Sequence, residues 1–273
     1  MKTRICKTCE TEFSGNYCNN CGEKVIRQED RKLKHYLGEF INALTFADNK
    51  LWRTLRTILI SPGKLSEEFV EGRRKNYMKP VSIFFLANLI YFLFPVIDTF
   101  TTNLQIQMNG LPYSVIVEQW VAEEVTQRDV AFEVYEKAYN TKTTELSKLL
   151  LTVMATLIGF FLWPIHIGSK RNLLADQMTI GQEVMTFLLI YCLQLVGGLF
   201  LVVSYLGVNL FSDVTISTIS CLMLLFFFIK VEYKFYGFRG LRLVVNAILS
   251  LLSIIIVLFL YRALLFFVTF WSI

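Results

Sequence analysis

Cysteine spacing at the N-terminus is the pattern in this sequence most capable of chemistry. Four of the six cysteines fall within sixteen residues as two C-x-x-C pairs: Cys6, Cys9, Cys18 and Cys21. Each pair places two thiolates on one tight turn, and four thiolates complete the tetrahedral shell that Zn²⁺ prefers. Because four cysteines leave no position for a water ligand, we expect a structural zinc and not a catalytic one.

The remaining residues of the N-terminal segment fit a zinc ribbon over residues 1–26. Gly22 provides the backbone freedom that a knuckle turn requires, and Phe13 and Tyr17 are expected to cover the metal. Two disulfides are the alternative, but no apolar leader follows Met1, so we expect reduced thiols in the cytoplasm. Nucleic-acid binding is disfavoured because residues 1–26 carry four basic residues against three acids.

A second set of candidate residues is polar and lies within apolar stretches. Such residues are costly in a bilayer and often mark a transport path or a binding site. They form a candidate intramembrane polar site: Asn88, His166, Glu183 and Arg262. The alternative is structural, with an amide that joins helices, a hydrogen-bonded histidine and an arginine that extends towards the interface. The sequence has no phosphate-binding loop, HExxH or GxSxG motif, so no catalytic residue is predicted.

The elements that must hold these residues are apolar helices. The chain has 273 residues, of which 54% are hydrophobic and 18% charged, and its mean hydropathy is +0.49. This composition excludes a soluble enzyme, a disordered chain and a secreted disulfide scaffold. We expect an all-α membrane protein, a five-span bundle with the spans 78–97, 149–167, 181–206, 215–229 and 243–261.

Charge in the connecting segments predicts the orientation. The segments 168–180 and 230–242 are basic, whereas residues 98–147 hold eight acids and three basic residues. The positive-inside rule then places the N-terminus in the cytoplasm and the C-terminus outside, in a bacterial inner membrane. In the outer loop 98–147, residues 104–108 show a weak strand pattern and residues 114–140 a helical one. Residues 263–273 are too short to recross the membrane, and they either prolong the last helix or lie in the outer leaflet.

Residues 27–77 are predicted to form cytoplasmic amphipathic and juxtamembrane helices between the ribbon and the transmembrane domain, residues 78–273. The helix that follows Asp48 carries one basic face beside Trp52, formed by Lys50, Arg53 and Arg56. This face suits an anionic membrane surface, and the alternative is a helix that packs on the membrane domain or on a partner.

A basic cluster lies just before the first span: Arg73, Arg74, Lys75 and Lys79. The simpler interpretation is a topology determinant that holds this end in the cytoplasm. The more specific one is a site for anionic lipid headgroups, in which the two arginines bind phosphate oxygens. Glu67, Glu68 and Glu71 precede the cluster and compete for its charge.

The stretch from Ser61-Pro62-Gly63 to Phe85 resembles an uncharacterised family of small bacterial membrane proteins of the Bacteroidetes type, a domain of unknown function. The resemblance rests on the four-cysteine segment, a segment that ends in Pro-Gly, and a Gly-x-Arg-x-x-Tyr-x-x-Pro element, here Gly72 to Pro80. It covers residues 6–95 and implies an architecture without a known activity.

The leading functional hypothesis is a non-enzymatic inner-membrane protein whose cytoplasmic zinc ribbon is a docking or sensing module on a helical anchor. Its expected partners are anionic lipids, a protein at the ribbon and further copies of the chain. The alternative is a transporter or channel component for a lipid or small ion. An intramembrane enzyme that uses His166 or Glu183 as a base is less favoured, because no paired nucleophile is evident.

Overall fold

The structure is a computed structural model that describes residues 3–23, 25, 49–207 and 213–273. It divides the chain into two compact units, Met1–Lys50 and Leu51–Ile273. Of the helices predicted over residues 27–77, the part before residue 49 lies outside the described residues.

In the first unit, two short strands connect the cysteine pairs. Strand β1 (Thr3–Ile5) pairs antiparallel with strand β2 (Glu12–Ser14), and Arg4 lies opposite Phe13. Phe13 packs in a small core with Cys6 and Cys18, as predicted for a residue that covers the metal site. Tyr17 does not share this role, since 60% of it is exposed. A segment this short leaves room for one large aromatic side chain beside the thiols.

The second unit is helical throughout its described part. The first helix, α1, occupies residues 49–60. The others are α2 (Lys64–Val70), α3 (Pro80–Leu93), α4 (Leu104–Asn109), α5 (Ser114–Arg128), α6 (Phe132–Ile165), α7 (Leu174–Phe187), a π-helical segment (Leu188–Val196), α8 (Gly197–Tyr205), α9 (Asp213–Lys234) and α10 (Gly240–Phe270).

Four helical stretches among the described residues are long and apolar enough to cross a membrane: Phe132–Ile165, Leu174–Tyr205, Val214–Lys234 and Gly240–Phe270. The second of these runs continuously through α7, the π segment and α8. The first predicted span forms the shorter apolar helix α3, which has 14 residues. The protein is thus a multi-pass membrane protein by its helix lengths and composition.

The two ends of this bundle differ in chemistry. One end of the bundle contains the last residue of α6, the first residue of α7 and the connection between α9 and α10. We call it the basic end, because it contains Lys170, Arg171, Lys234, Arg239 and Arg242. We call the other end, where α8 stops and α9 begins, the capped end.

At the capped end, residues 98–147 fold as helices and not as an open loop. The weak strand pattern at residues 104–108 is not realised, because Asn103 caps a helix there by accepting a hydrogen bond from Ile106 N at 2.9 Å. The predicted helix over residues 114–140 forms as α5 and the start of α6. Together with α4 they enclose a separate apolar core around Val117, Val121 and Tyr139.

The C-terminal residues complete this cap. Helix α10 continues to Phe270, so the C-terminal segment prolongs the last helix, which was one of the two predicted alternatives. Phe266 packs on Tyr139, with ring centroids 6.2 Å apart, and Phe267 contacts Trp120 at 5.6 Å. A 34-residue α6 and a 31-residue α10 exceed the bilayer core, and their excess length is buried in the cap.

Close approach of α6 and α7 depends on two glycines. A Cβ atom on Gly159 would lie 2.9 Å from Met178 Cα, and one on Gly181 would collide with Ala155 O. Gly159 and Gly181 therefore permit the close packing of these two helices. Gly197 also lies tightly against Ile97, whereas a Cβ on Gly198 would meet no atom within 4 Å among the described residues.

Candidate functional site

The four N-terminal cysteines converge on one point. Their Sγ atoms lie within 4.8 Å of one another, with 3.4 Å between Cys6 and Cys21 and 3.6 Å between Cys9 and Cys18. All four are free thiols, and these separations are far beyond a disulfide bond. Tetrahedral Zn–S bonds of about 2.3 Å place sulfur atoms about 3.8 Å apart, so the arrangement fits a closed metal site.

Equivalent hydrogen bonds shape the two cysteine turns. Cys6 O accepts from Glu10 N and Cys6 N donates to Thr11 O, both at 3.0 Å. Cys18 repeats this pattern with Gly22 N at 2.9 Å and Glu23 O at 2.8 Å. The residue four positions after each first cysteine has a left-handed backbone, with φ of 56° at Glu10 and 78° at Gly22. The two knuckles are thus the same structure built twice.

One thiol of the cluster is prepared for the thiolate form. The side chain and backbone of Thr11 hydrogen-bond with Cys9 and lower its pKa to about 6. Metal ligation requires thiolates, and Cys21 shows the opposite shift: although the backbone of Glu23 lowers its pKa, the contacts with Cys9 and Cys6 raise it to about 12.

In the second unit, the carboxylate of Glu183 is the common acceptor of a buried group of hydrogen bonds. Its side chain is fully buried, and it accepts hydrogen bonds from Gly63 N at 2.8 Å, Ser66 N at 2.9 Å and Ser66 Oγ at 2.6 Å. These donors belong to the first turn of α2, whose free N–H groups attract an anion. Gly63 has a φ of 82° and lies against Val231, so a side chain at this position would be both strained and crowded. Glu183 therefore fixes the Ser61-Pro62-Gly63 turn to the bundle.

His166 and Glu232 form a second buried pair at the basic end. Both side chains are fully buried, and His166 Nε2 lies 2.8 Å from Glu232 Oε1. His166 Nδ1 lies 2.7 Å from Leu162 O, and since a carbonyl only accepts, Nδ1 carries a proton. The contact between His166 Nε2 and Glu232 Oε1 then requires one further proton, which these two atoms share. Ser250 Oγ donates to the same carboxylate at 3.2 Å.

An aromatic ring and an amide extend this pair. The ring of Tyr236 stacks on His166 with centroids 3.7 Å apart, and its hydroxyl donates to Gln177 Oε1. Gln177 Nε2 in turn donates to Arg171 O at 2.8 Å. Burial raises the pKa of Tyr236 well above its ordinary value, so the hydroxyl remains a donor. The pair is held in a rigid polar network that connects α6, α7, α9 and α10.

The four residues of the basic cluster before α3 differ in their contacts. Arg73 Nε lies 2.8 Å from Glu68 Oε2, and Arg73 also pairs with Glu71. Arg74 lies over the Phe69 ring at 4.3 Å and donates to Phe69 O at 3.4 Å. Lys75 and Lys79 are exposed. The sequence suggests that the preceding glutamates compete with lipid for the charge of this cluster, and in the structure they pair with Arg73.

Helix α1 is amphipathic, as predicted, with one buried face and one exposed face. Thr54 and Ile58 are fully buried, and Leu55 O accepts a hydrogen bond from Tyr191 Oη at 2.6 Å. Trp52 is 71% exposed, and Arg53 and Arg56 are exposed beside it. The helix packs on the bundle by one face and presents the aromatic and basic face outward.

The four predicted intramembrane polar residues do not meet at one site. Glu183 contacts α2 and His166 contacts Glu232, as described above. Asn88 Nδ2 donates to Lys148 O at 3.2 Å, which joins α3 to α6. Arg262 lies at the capped end, where its Nη2 is 3.5 Å from Thr99 O. Asn88 thus behaves as an interhelical hydrogen-bonding group, the structural alternative.

Sequence reasoning missed two important partners, Glu232 and Ser66. Glu232 is the one acidic residue within the basic segment 230–242, and that isolation was a usable signal. Ser66 carried no such signal, because its role depends on a residue 117 positions away.

Comparison with known proteins matches one segment of the chain. Residues 48–92, which include α1, α2 and α3, match the model of a family described as Protein of unknown function (DUF3667). No match was found among curated proteins or among solved structures. The match confirms the predicted resemblance to a domain of unknown function, and its residues include the Gly63 and Ser66 donors that bind Glu183. Residues 48–92 of this chain are thus similar to the DUF3667 family.

Proposed function

We propose that the protein is a non-enzymatic inner-membrane protein of bacteria, in which a cytoplasmic zinc ribbon is a docking module on a helical membrane anchor. The observation that carries the proposal is the closed cluster of four cysteine thiols. Four sulfur ligands at tetrahedral spacing hold zinc for folding and leave no position for a substrate. The metal then stabilises a small surface whose role is recognition.

The exposed surface of the ribbon supports a protein partner. Ile5 and Tyr17 are 65% and 60% exposed, so two large side chains of the ribbon are available for contact with a partner. Tyrosine is enriched in protein interfaces because it combines apolar area with a hydrogen-bonding hydroxyl. The ribbon therefore offers a contact surface that the zinc site keeps in shape.

The five-span topology, with the N-terminus inside, is part of the same proposal. Met78 N donates to Thr54 Oγ1 at 3.0 Å, which places the start of α3 next to α1. After α3 the chain reaches Thr99, whose carbonyl faces Arg262 at the capped end. Helix α3 covers about 21 Å at 1.5 Å per residue. Together with the six residues after it, Phe94 to Thr99, it is long enough to cross from the level of α1 to the capped end, which supports a fifth span.

A transporter or channel component is the alternative, and a flux assay distinguishes the two functions. Purified protein in proteoliposomes should carry no ion current and should not exchange labelled lipid between leaflets. Measured flux above that of empty liposomes would favour the alternative.

The docking function is tested with a photo-crosslinking amino acid at Tyr17 of the full-length chain in cells. We expect about one zinc per purified chain and discrete protein adducts from position 17. Both should disappear in Cys18→Ser, whereas the matched control Cys221→Ser should retain them. Metal-free protein, or adducts that persist in Cys18→Ser, would contradict the proposal.

Topology is tested with reporter fusions. Residues 20, 172 and 236 should be cytoplasmic and residue 125 outside. A cytoplasmic position for residue 125 would overturn the proposed orientation.

A further inference from the structure

A cavity of about 570 Å³ lies between the π segment, α9 and α10, near the capped end. Its walls are mostly apolar, formed in part by Met154, Leu193, Leu224 and Ile254. This volume falls within the range of about 300–1,000 Å³ that is usual for ligand sites. The π-helical segment that lines one wall is a rare element, which is frequently found at functional sites.

The polar groups of the cavity are few and incompletely bonded. Arg262 lies at its rim, and Arg262 Nε is buried with no hydrogen-bond partner in the part of the chain that the structure describes. The long 3.5 Å contact from Nη2 to Thr99 O is the hydrogen bond that the guanidinium makes. Within residues 3–23, 49–207 and 214–273, no carboxylate oxygen pairs with it at 4 Å or less. A partly buried guanidinium, with a buried Nε atom and no counter-ion among the described residues, attracts an anion.

A single acid lies on the same rim. Asp98 is exposed, and its Oδ1 accepts a hydrogen bond from Thr101 N at 3.1 Å. Its charge is therefore solvated and already engaged, whereas that of Arg262 is partly buried. Among the described residues that line the cavity, the charge that lacks compensation is therefore that of Arg262.

The position of Arg262 along α10 gives the depth of the site. Arg262 follows the first residue of the helix, Gly240, by twenty-two positions, which corresponds to about 33 Å at 1.5 Å per residue. The hydrocarbon core of a bilayer is about 30 Å thick. With the start of α10 at one interface, Arg262 lies at headgroup depth in the opposite leaflet.

The mouth of the cavity opens sideways. Ser217 and Cys221 on α9 and Ile255 on α10 line the cavity and are also exposed on the flank of the bundle. That flank is covered by apolar side chains such as Leu222, Leu252 and Ile256, so it faces acyl chains and not water. A ligand can thus enter from the lipid bilayer.

We propose that this cavity binds one membrane phospholipid, with one acyl chain inside the cavity and the phosphate hydrogen-bonded to Arg262. A two-chain lipid fits a lateral opening, because its second chain remains in the bilayer. Ser220 Oγ is buried in the cavity wall with no partner among the described residues, and it can donate to an ester carbonyl. Its lining residues include none of the basic cluster at residues 73–79.

The test uses the full-length chain in a nonionic detergent, titrated with phosphatidylglycerol and, separately, with palmitate, and read by native mass spectrometry. Wild-type protein should retain one phospholipid per chain. Arg262→Gln should weaken retention about tenfold or more, the effect of losing a charge-assisted hydrogen bond. Arg262→Lys should restore part of it. The matched control is Arg242→Gln, which changes an arginine of the same helix at the basic end.

A second variant tests the cavity itself. Ser220→Leu fills the wall without altering charge and should also reduce retention. Equal retention by wild type, Arg262→Gln and Ser220→Leu would overturn the proposal, and so would binding of palmitate without binding of phospholipid. If Arg262→Gln fails to fold, a loss of retention in folded Ser220→Leu supports the site, and unchanged retention contradicts it.

Discussion

Gly63 and Glu183 are separated by 120 positions and joined by a hydrogen bond of 2.8 Å from the Gly63 amide to a fully buried carboxylate oxygen. This contact connects the segment that matches a family model to a helix outside that segment. The carboxylate satisfies N–H groups at the start of α2, which have no partner within their own helix. The matched segment is therefore anchored by a charge that belongs to the rest of the bundle.

Replacing Glu183 by Gln should loosen this anchor. The amide nitrogen of glutamine is a donor, so it would face the donors of Gly63 and Ser66. We expect a loss of about 1.5–3 kcal/mol in the free energy of unfolding, the usual value of hydrogen bonds to a charged group. Thermal unfolding in detergent measures it. Glu145→Gln removes a carboxylate that is 62% exposed and serves as the control. Equal effects of the two substitutions would contradict the anchoring role.

Glu10 and Gly22 occupy equivalent positions in the two cysteine turns, and substitutions at these positions should have opposite effects on the rate of zinc loss. Glu10 adopts the left-handed backbone that glycine adopts at position 22, and this conformation costs a residue with a side chain about 1 kcal/mol. Glu10→Gly should therefore slow zinc loss to a chelator, and Gly22→Ala should accelerate it. A chromogenic chelator assay gives both rates. A faster loss in Glu10→Gly would mean that the glutamate side chain contributes more than its backbone strain.

The basic cluster should not act uniformly on anionic membranes. Two glutamates already neutralise Arg73, whereas Lys75 and Lys79 are exposed. Each free cation near an anionic surface contributes about 1 kcal/mol. We expect Lys75→Gln and Lys79→Gln to reduce co-purifying anionic lipid more than Arg73→Gln does. The largest loss in Arg73→Gln would instead show that the arginine leaves its glutamates for lipid.

The same ion pair predicts a small dependence on pH. The hydrogen bond from Arg73 lowers the pKa of Glu68 below its ordinary value. The stabilisation is therefore present at neutral pH and disappears as the pH falls through the folded-state pKa of Glu68. Because Arg73 is 53% exposed, water screens the pair and we expect a small effect on the free energy of unfolding. Unfolding of wild type and Arg73→Gln should converge in acid, and a difference that persists there would exclude this cause.

The His166–Glu232 pair should be more costly to break than any surface pair. Both groups are fully buried, and removal of one leaves the other without its partner. We expect a loss of about 3–5 kcal/mol for Glu232→Gln or His166→Ala. A double-mutant cycle in a thermal unfolding assay separates the coupling from cavity effects. Additive losses would show that the two side chains act independently.

The sequence by itself determined those features that depend on local spacing or composition. Two C-x-x-C pairs predict a four-thiol site because each pair is complete within four residues, and the structure brings all four sulfurs together. Long apolar runs predict membrane helices, since helix length and hydropathy are properties of one segment. The helix over residues 114–140 follows in the same way from its periodicity.

Tertiary structure decided which polar residues meet. Glu183, His166 and Arg262 look alike in the sequence, as single polar residues in apolar surroundings, yet one anchors α2, one pairs with Glu232 and one lies at a cavity rim. Residues 104–108 became a helix because the cap offers them a core with α5 and α6. The contacts of Glu183, His166 and Arg262 join segments more than 60 positions apart, and packing across such distances is not encoded in local periodicity.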